Sequence, residues 1–207
     1  MPGYTKAEAG MITISWEELL GRIASCEACD LCKCCTQKVP GQGDRSAPLM
    51  LVGEGPGEVE DREGLAFVGP AGQLLTKMLA AIALPRDRVY ICNVVKCRPP
   101  QNRVPLPNEA AACLPYLRMQ AALVRPKVVM LLGSTAARNI LGDDIRITRD
   151  RGKWYERKGV FFMPTYHPSA LLRDVDKKKE AWKDLKSLRA KLMELHLYED
   201  LLEDIKE

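Results

Sequence analysis

The chain has 207 residues, 46% of them hydrophobic, which suits one α/β domain (1–207) around a single core. A formal net charge of +4 is compatible with a nucleic-acid partner without demanding one. The longest apolar run, Val128 to Leu132, is far too short to span a bilayer, and Met1 to Thr13 carries no export signal, so a cytoplasmic, membrane-free protein is expected. Eight cysteines in such a chain point to metal binding rather than to a disulfide framework.

In chain order, Ser15-Trp16-Glu17-Glu18 reads as a capping box opening a helix to about Ser25. The cysteine-rich stretch Cys26 to Cys35 follows, so 12–35 forms an N-terminal helix plus a cysteine segment. Leu49 to Gly53 is a short buried strand. Gly69 to Ala83 has helical periodicity, with Leu74, Leu75, Met78, Leu79 and Ile82 on one side. Val89 to Val95 is a second strand, and the proline-rich Arg98 to Pro107 is loop. Asn108 to Val124 is helical, with Pro115 expected to kink it or mark a later start. Lys127 to Leu132 is a third strand, followed by a short helix to Leu141. Lys153 to Glu156 and Val160 to Met163 flank Lys158-Gly159 as a hairpin whose second arm continues to Thr165 as a fourth strand. Trp182 to Leu197 is a closing helix, and 198–207 an acidic, peripheral tail. This alternation predicts a parallel sheet with helices on both faces, and ligands at the carboxyl ends of its strands. Glu54, Asn93, Ser134 and His167 all fall at such ends.

Five groups of residues can carry chemistry. Gly53-Glu54-Gly55-Pro56-Gly57 lets the backbone turn sharply against a ligand, with Glu54 pointing into the crevice. Phe67, one of three phenylalanines, sits between two glycine turns where it can stack on a flat base. The amide of Asn93 offers an acceptor and two donors, which suits the O4 and N3–H edge of uracil and disfavours cytosine. His167, followed by Pro168-Ser169-Ala170-Leu171-Leu172-Arg173, is placed to stabilise charge on a leaving group, with an apolar pair beside an arginine that suits a wedge entering DNA. Cys26 and Cys29 form a chelating pair, and Cys97 and Cys113 are distant partners for an iron–sulfur cluster or a structural zinc. Cys32, Cys34 and Cys35 leave that choice open, since Cys32 can also pair with Cys29 or Cys35. Singly, each group also has an ordinary structural reading: Phe67 as core, Asn93 as a turn or cap, His167 as a buried turn.

Their order along the chain is more specific. The runs GEGPGEVEDREGLAFVGPAGQLL (Gly53 to Leu75), YICNVVKCRPPQNRVPLP (Tyr90 to Pro107) and HPSALLR (from His167), with the interval Cys26 to Cys113, resemble family 4, thermostable iron–sulfur uracil-DNA glycosylases, from about Leu20 to Arg189. The resemblance implies an α/β/α sandwich around a four-stranded parallel sheet, and a 4Fe-4S cluster held by Cys26, Cys29, Cys97 and Cys113. It implies Glu54 and Gly55 in the first active-site motif, Phe67 stacked on uracil, Asn93 reading the pyrimidine edge, and His167, with Ser169 beside it, over the O2 side of the base. The chain departs from the family in having Cys32, Cys34 and Cys35, and Ala66 where proline is usual.

The reaction expected is flipping of uracil from DNA and hydrolysis of its N-glycosidic bond, with Glu54 and His167 as the catalytic pair. Lys96, Arg98, Arg103 and Arg173 are expected on phosphates, with Leu171 and Leu172 as the wedge. Uracil-containing DNA is the expected partner of a monomeric enzyme, and the acidic tail a candidate contact for a partner such as a sliding clamp. Two other classes explain part of the pattern. One is a protein that captures uracil or abasic DNA without turnover; the other is an iron–sulfur redox sensor, which leaves Asn93 and His167 unexplained.

Overall fold

The computed structural model describes residues 14–199 and 201. Six strands form one sheet in the order β1-β3-β2-β4-β6-β5. These are β1 (Gln42–Gly43), β2 (Leu49–Gly53), β3 (Tyr90–Asn93), β4 (Val128–Leu132), β5 (Tyr155–Arg157) and β6 (Val160–Thr165). The central four, β3-β2-β4-β6, are parallel, as expected, and short antiparallel strands add one edge on each side.

Helices cover both faces because both faces of the central strands are apolar. Leu49 and Leu51 of β2, with Met130 of β4, pack on one side against α3 (Pro70–Ala80) and α8 (Lys177–Glu194), through Leu75, Leu79, Leu185 and Leu188. Met50 and Val52, with Val129 and Leu131, pack on the other side against α4 (Pro107–Val124) and α5 (Gly133–Leu141), through Leu117, Val124, Ala136 and Ala137. Strand side chains alternate between faces, so a continuous apolar run serves two layers at once. The result is a three-layer α/β/α sandwich, as the strand and helix alternation predicts. Outside it, α1 (Trp16–Ala24) lays Leu19 and Ile23 against Met119 and Leu123 of α4. Ser15 caps α1 as expected, accepting the Glu18 N–H at 3.1 Å.

Several boundaries differ from the sequence expectation. Pro115 neither kinks α4 into two helices nor delays its start: the helix begins at Pro107 and runs through to Val124. Pro115 is exposed, so the carbonyl it cannot bond faces water. The helix starts early because the Glu109 carboxylate, in its first turn, reaches back to accept the Leu106 N–H at 2.7 Å. The closing helix starts at Lys177 rather than Trp182 and ends at Glu194, because Ala181, Leu185, Leu188 and Leu192 set its buried stripe. The hairpin arm is Tyr155–Arg157, closed by Lys158 and Gly159 at φ 53° and 75°, the positive values a two-residue turn of this hand requires. Two helical turns, α2 (Glu58–Glu63) and α6 (Ile147–Asp150), have no counterpart in the sequence expectation; α7 (Pro168–Arg173) follows His167.

The expected peripheral tail is corrected at its start. Tyr198 and Leu201 are buried, and the Tyr198 hydroxyl donates to the Ile82 carbonyl at 2.6 Å, so the chain is anchored beneath α3 there. Residues 202–207, and 12–13 of the N-terminal segment, lie outside the described residues. Among the described residues no helix is long and apolar enough to cross a membrane.

Candidate active site

The carboxyl ends of β2 and β3 lie side by side, with Gly53 in register with Asn93. A β-carbon on Gly53 would stand 2.5 Å from both Asn93 Oδ1 and Phe67 Cζ, so only glycine lets the amide and the ring close on that strand end. The next residues open a cleft of about 690 Å³ out to its solvent mouth, lined by Glu54, Gly55, Phe67, Asn93, His167 and Ser169. All six candidate catalytic and base-binding residues therefore meet in one place.

Phe67 is fixed from both sides of its own backbone. Its φ of 54° is left-handed, a conformation a phenylalanine holds only under constraint from its surroundings. The Ala66 carbonyl before it accepts from Gln42 Nε2 at 2.6 Å and Arg86 Nη2 at 2.8 Å. The Val68 and Gly69 N–H groups after it donate to one oxygen of the buried Glu60, at 3.0 and 2.8 Å. Gly72, in the first turn of α3, lies so close that a β-carbon would strike the Phe67 carbonyl. The ring is held 5.6 Å from that of His167, tilted by 37°.

His167 stands just before α7 and caps it. Its Nδ1 accepts the Ser169 N–H at 3.2 Å, with the Ser169 hydroxyl 2.8 Å away. An accepting Nδ1 carries no proton, so in the neutral ring the proton is on Nε2. Burial, with a smaller contribution from the Arg173 charge, pushes the imidazole down to about 4, and the ring is neutral at pH 7. Two buried side-chain atoms have no protein partner among the described residues: Asn93 Oδ1 and His167 Nε2. One accepts and the other donates, and both residues line the same cleft.

Sequence reasoning missed several supports. Thr135 of α5, not the neighbouring Ser134, donates its hydroxyl to Glu54 Oε2. Glu60, Gln42 and Arg86 orient the Phe67 segment; Glu60 lies within the glycine-rich run Gly53 to Leu75, but nothing in its spacing announces that it folds back on Val68 and Gly69.

The expected phosphate contacts divide. Lys96 is corrected: only 2% exposed, its ammonium donates to the Asn93 carbonyl at 2.7 Å and Gln120 Oε1 at 2.6 Å, so it braces the strand end from beneath. Leu171 is also corrected, since at 1% exposure it belongs to the core, leaving Leu172, 48% exposed, as the projecting residue beside the exposed Arg173. Arg103 borders the cleft, but its guanidinium is paired with both oxygens of Glu109, at 2.8 and 2.7 Å, and so holds the loop before α4. Arg98 bonds Asn102 at 2.8 Å and Glu58 at 3.3 Å at the surface.

A second cavity, between the cysteine segment and α4, is lined by five thiols: Cys26, Cys29, Cys32, Cys97 and Cys113. No disulfide links any cysteine. Among the described residues no three side chains stand as a ready set of metal ligands. The donors are nevertheless all soft thiols, no carboxylate lines the cavity, and the Lys96 N–H points at Cys113 Sγ at 3.3 Å. Such a donor set fits a thiolate-bound cluster better than a hard, oxygen-seeking cation.

Residues 40–186 match the family profile described as Uracil DNA glycosylase superfamily. Among curated proteins, the chain is 44% identical to a Type-4 uracil-DNA glycosylase of Sulfurisphaera tokodaii, over 84% of each chain. It is 43% identical to the Type-4 uracil-DNA glycosylase of Archaeoglobus fulgidus, over 84% of this chain and 92% of that one. A Thermotoga maritima protein of the same description is 46% identical, over 74% of this chain and 81% of its own.

Proposed function

From the premise that this chain belongs to the uracil DNA glycosylase superfamily and is a DNA-repair uracil-DNA glycosylase, we propose that it releases uracil by holding the flipped base between Phe67, Asn93 and His167. The observation that carries this reading is the pair of unpartnered buried atoms, Asn93 Oδ1 and His167 Nε2. A buried polar atom without a partner is costly, and a ligand that supplies the missing bonds recovers that cost. Uracil supplies both: N3–H donates to Asn93 Oδ1, and O2 accepts from His167 Nε2–H. Cytosine has no proton at N3, so it leaves the amide oxygen unsatisfied on that edge.

Bond breaking leaves negative charge on the departing uracil and positive charge on the sugar. A neutral imidazole that donates from Nε2 stabilises the first without having to hold a proton against its own burial. The Gly55 N–H assists at the base. Glu54, with one oxygen fixed by Thr135, keeps the other for the attacking water or for the sugar cation. Leu172 enters the stack that uracil leaves, and Arg173 and Arg98 meet the phosphates beside it.

Cys26, Cys29, Cys97 and Cys113 would hold a 4Fe-4S cluster, whose contribution is a structural tie, since hydrolysis of an N-glycosidic bond moves no electron. The thiols join the cysteine segment to the strand end that carries Asn93 and to α4.

The deciding experiment measures free uracil released from a labelled single strand containing one uracil, against a matching cytosine strand. Catalytic release from the uracil strand alone is expected. Tight binding without turnover would replace the glycosylase by a capture protein.

A further inference from the structure

The three tryptophans are employed unequally. Trp16 lies 5.5 Å from the Tyr90 ring, with Arg45 over it. The Trp154 indole N–H bonds the Ser187 hydroxyl at 3.0 Å, and Lys191 stands over its ring. Trp182 of α8, 41% exposed, has no ring, cation or hydrogen-bond partner among the described residues. It lines a hollow of about 490 Å³, measured out to its solvent mouth, between α3, α7 and α8. Leu74, Met78 and Leu171 give that hollow an apolar lining, Lys77 and Lys178 stand at it, and no carboxylate does. Both lysines are exposed, and neither has an ion-pair partner among the described residues. Lys179, Lys183 and Lys186 add exposed positive charge along α8. Lys178 and Trp182, four apart, share one face of the helix. A long helical side chain leans toward the N-terminus of its helix, so the indole reaches back toward the turn that joins α7 to α8. The hollow also adjoins the wedge: Leu171 lines it, and the next residue is the exposed Leu172.

We propose that this hollow holds an unpaired base of the uracil-bearing strand, stacked on Trp182, with Lys77 and Lys178 on the phosphates beside it. The inference rests on the glycosylase reading above and on Leu172 as its wedge. Every base has a π-face, so an exposed aromatic among cations binds single-stranded DNA with little regard to sequence. A protein segment seated there would have to bring its own carboxylates to Lys77 and Lys178, whereas DNA carries an anion at every nucleotide. At 1.5 Å per residue, Trp182 lies about 8 Å along α8 from Lys177. That is the length of roughly two stacked nucleotides at ~3.4 Å each. The base held is therefore a near neighbour of the uracil, on the far side of the wedge. In a duplex that neighbour stays paired, so the contact belongs to single strands.

The test measures kcat and KM for uracil release by the full-length protein from single strands with one uracil, in which one flanking nucleotide at a time is replaced by a base-less spacer. In wild type, a spacer at one position is expected to raise KM roughly tenfold, the loss of one stacked base. Trp182→Ala should show that loss on the unmodified strand and no further loss with the spacer there, while Trp182→Phe, which keeps a stacking face, restores most of it. Lys77→Gln and Lys178→Gln should each flatten the slope of log KM against log salt by about 0.7. On a duplex carrying the same uracil, Trp182→Ala should cost little; an equal loss on both substrates overturns the proposal. Release by wild type with a flat spacer profile, or a profile that Trp182→Ala leaves unchanged, also overturns it and gives the hollow to a protein partner. Wild type that releases no uracil from any strand overturns the glycosylase reading instead. Should Trp182→Ala fail to fold, by circular dichroism, tryptophan emission still decides. A uracil-free oligothymidine strand is expected to quench it in wild type and to quench it far less in Trp182→Phe, and equal quenching overturns the assignment.

Discussion

Asn93 and His167 show how much of a site can rest on two atoms. Both face the cleft with hydrogen-bonding capacity that nothing among the described residues uses. Asn93→Asp replaces a donor–acceptor pair by acceptors alone, which suits the exocyclic amine of cytosine and repels O4 of uracil. We expect kcat/KM on uracil to fall at least a hundredfold and weak release of cytosine to appear, read on paired uracil and cytosine strands; unchanged selectivity would remove Asn93 as the reader. His167 carries a pH signature. Its imidazole sits at about 4 in the fold and near 6.5 in an unfolded chain, so as pH falls below 6.5 the unfolded state takes up the proton first and stability declines, flattening again below 4. The loss is about 2 kcal/mol at pH 5, since each tenfold difference in proton affinity between the two states is worth ~1.4 kcal/mol. Urea unfolding at pH 7.5 and pH 5 should show that decrement in the wild type, and His167→Gln should lack it.

At the scale of elements, the turn after β2 and the segment before α3 are locked together through Glu60. Its carboxylate gathers the Val68 and Gly69 N–H groups and so holds Phe67 in a left-handed backbone. Glu60→Gln keeps the shape and one acceptor but removes the charge that strengthens both bonds, a loss on the order of 1–3 kcal/mol. A drop of roughly tenfold or more in kcat/KM is expected, with the melting temperature lowered by about 2–4 °C per kcal/mol lost; the same fall in melting temperature with kcat/KM intact would make Glu60 a packing residue. The elements themselves were largely legible, since their periods are local. Ser15, the strand runs and Lys158-Gly159 announced their own structures. Pro115 misled because whether a proline breaks a helix depends on which side of the helix meets water, and Leu171 because adjacent leucines on α7 face opposite ways, one to core and one to solvent.

For the molecule as a whole, the cysteine cavity lies between the outer helix α1, the cysteine segment and α4, and its wall includes residues 95–97 just beyond Asn93. A cluster there would couple the site's base to the periphery. Removing the iron with a chelator under reducing conditions should therefore lower the melting temperature by several degrees and reduce uracil release in parallel, both restored by anaerobic reconstitution. Loss of activity with no change in melting point would argue against a structural tie.

The strand-end placement of Glu54, Asn93 and His167, the layer order and the cysteine pattern were all present in the linear order of residues. Each follows from local period or from the rule that parallel strands present their carboxyl ends to ligands. The partners were not. That Lys96 braces Asn93 from below, that Arg103 is paired with Glu109, that Thr135 holds Glu54 and that Cys97 and Cys113 share a cavity with Cys26 and Cys29 all depend on which distant segments the sheet and helices bring together. A lysine beside a cysteine reads as a surface charge until folding shows it 2% exposed, because burial belongs to the assembled layers and to no single stretch of chain.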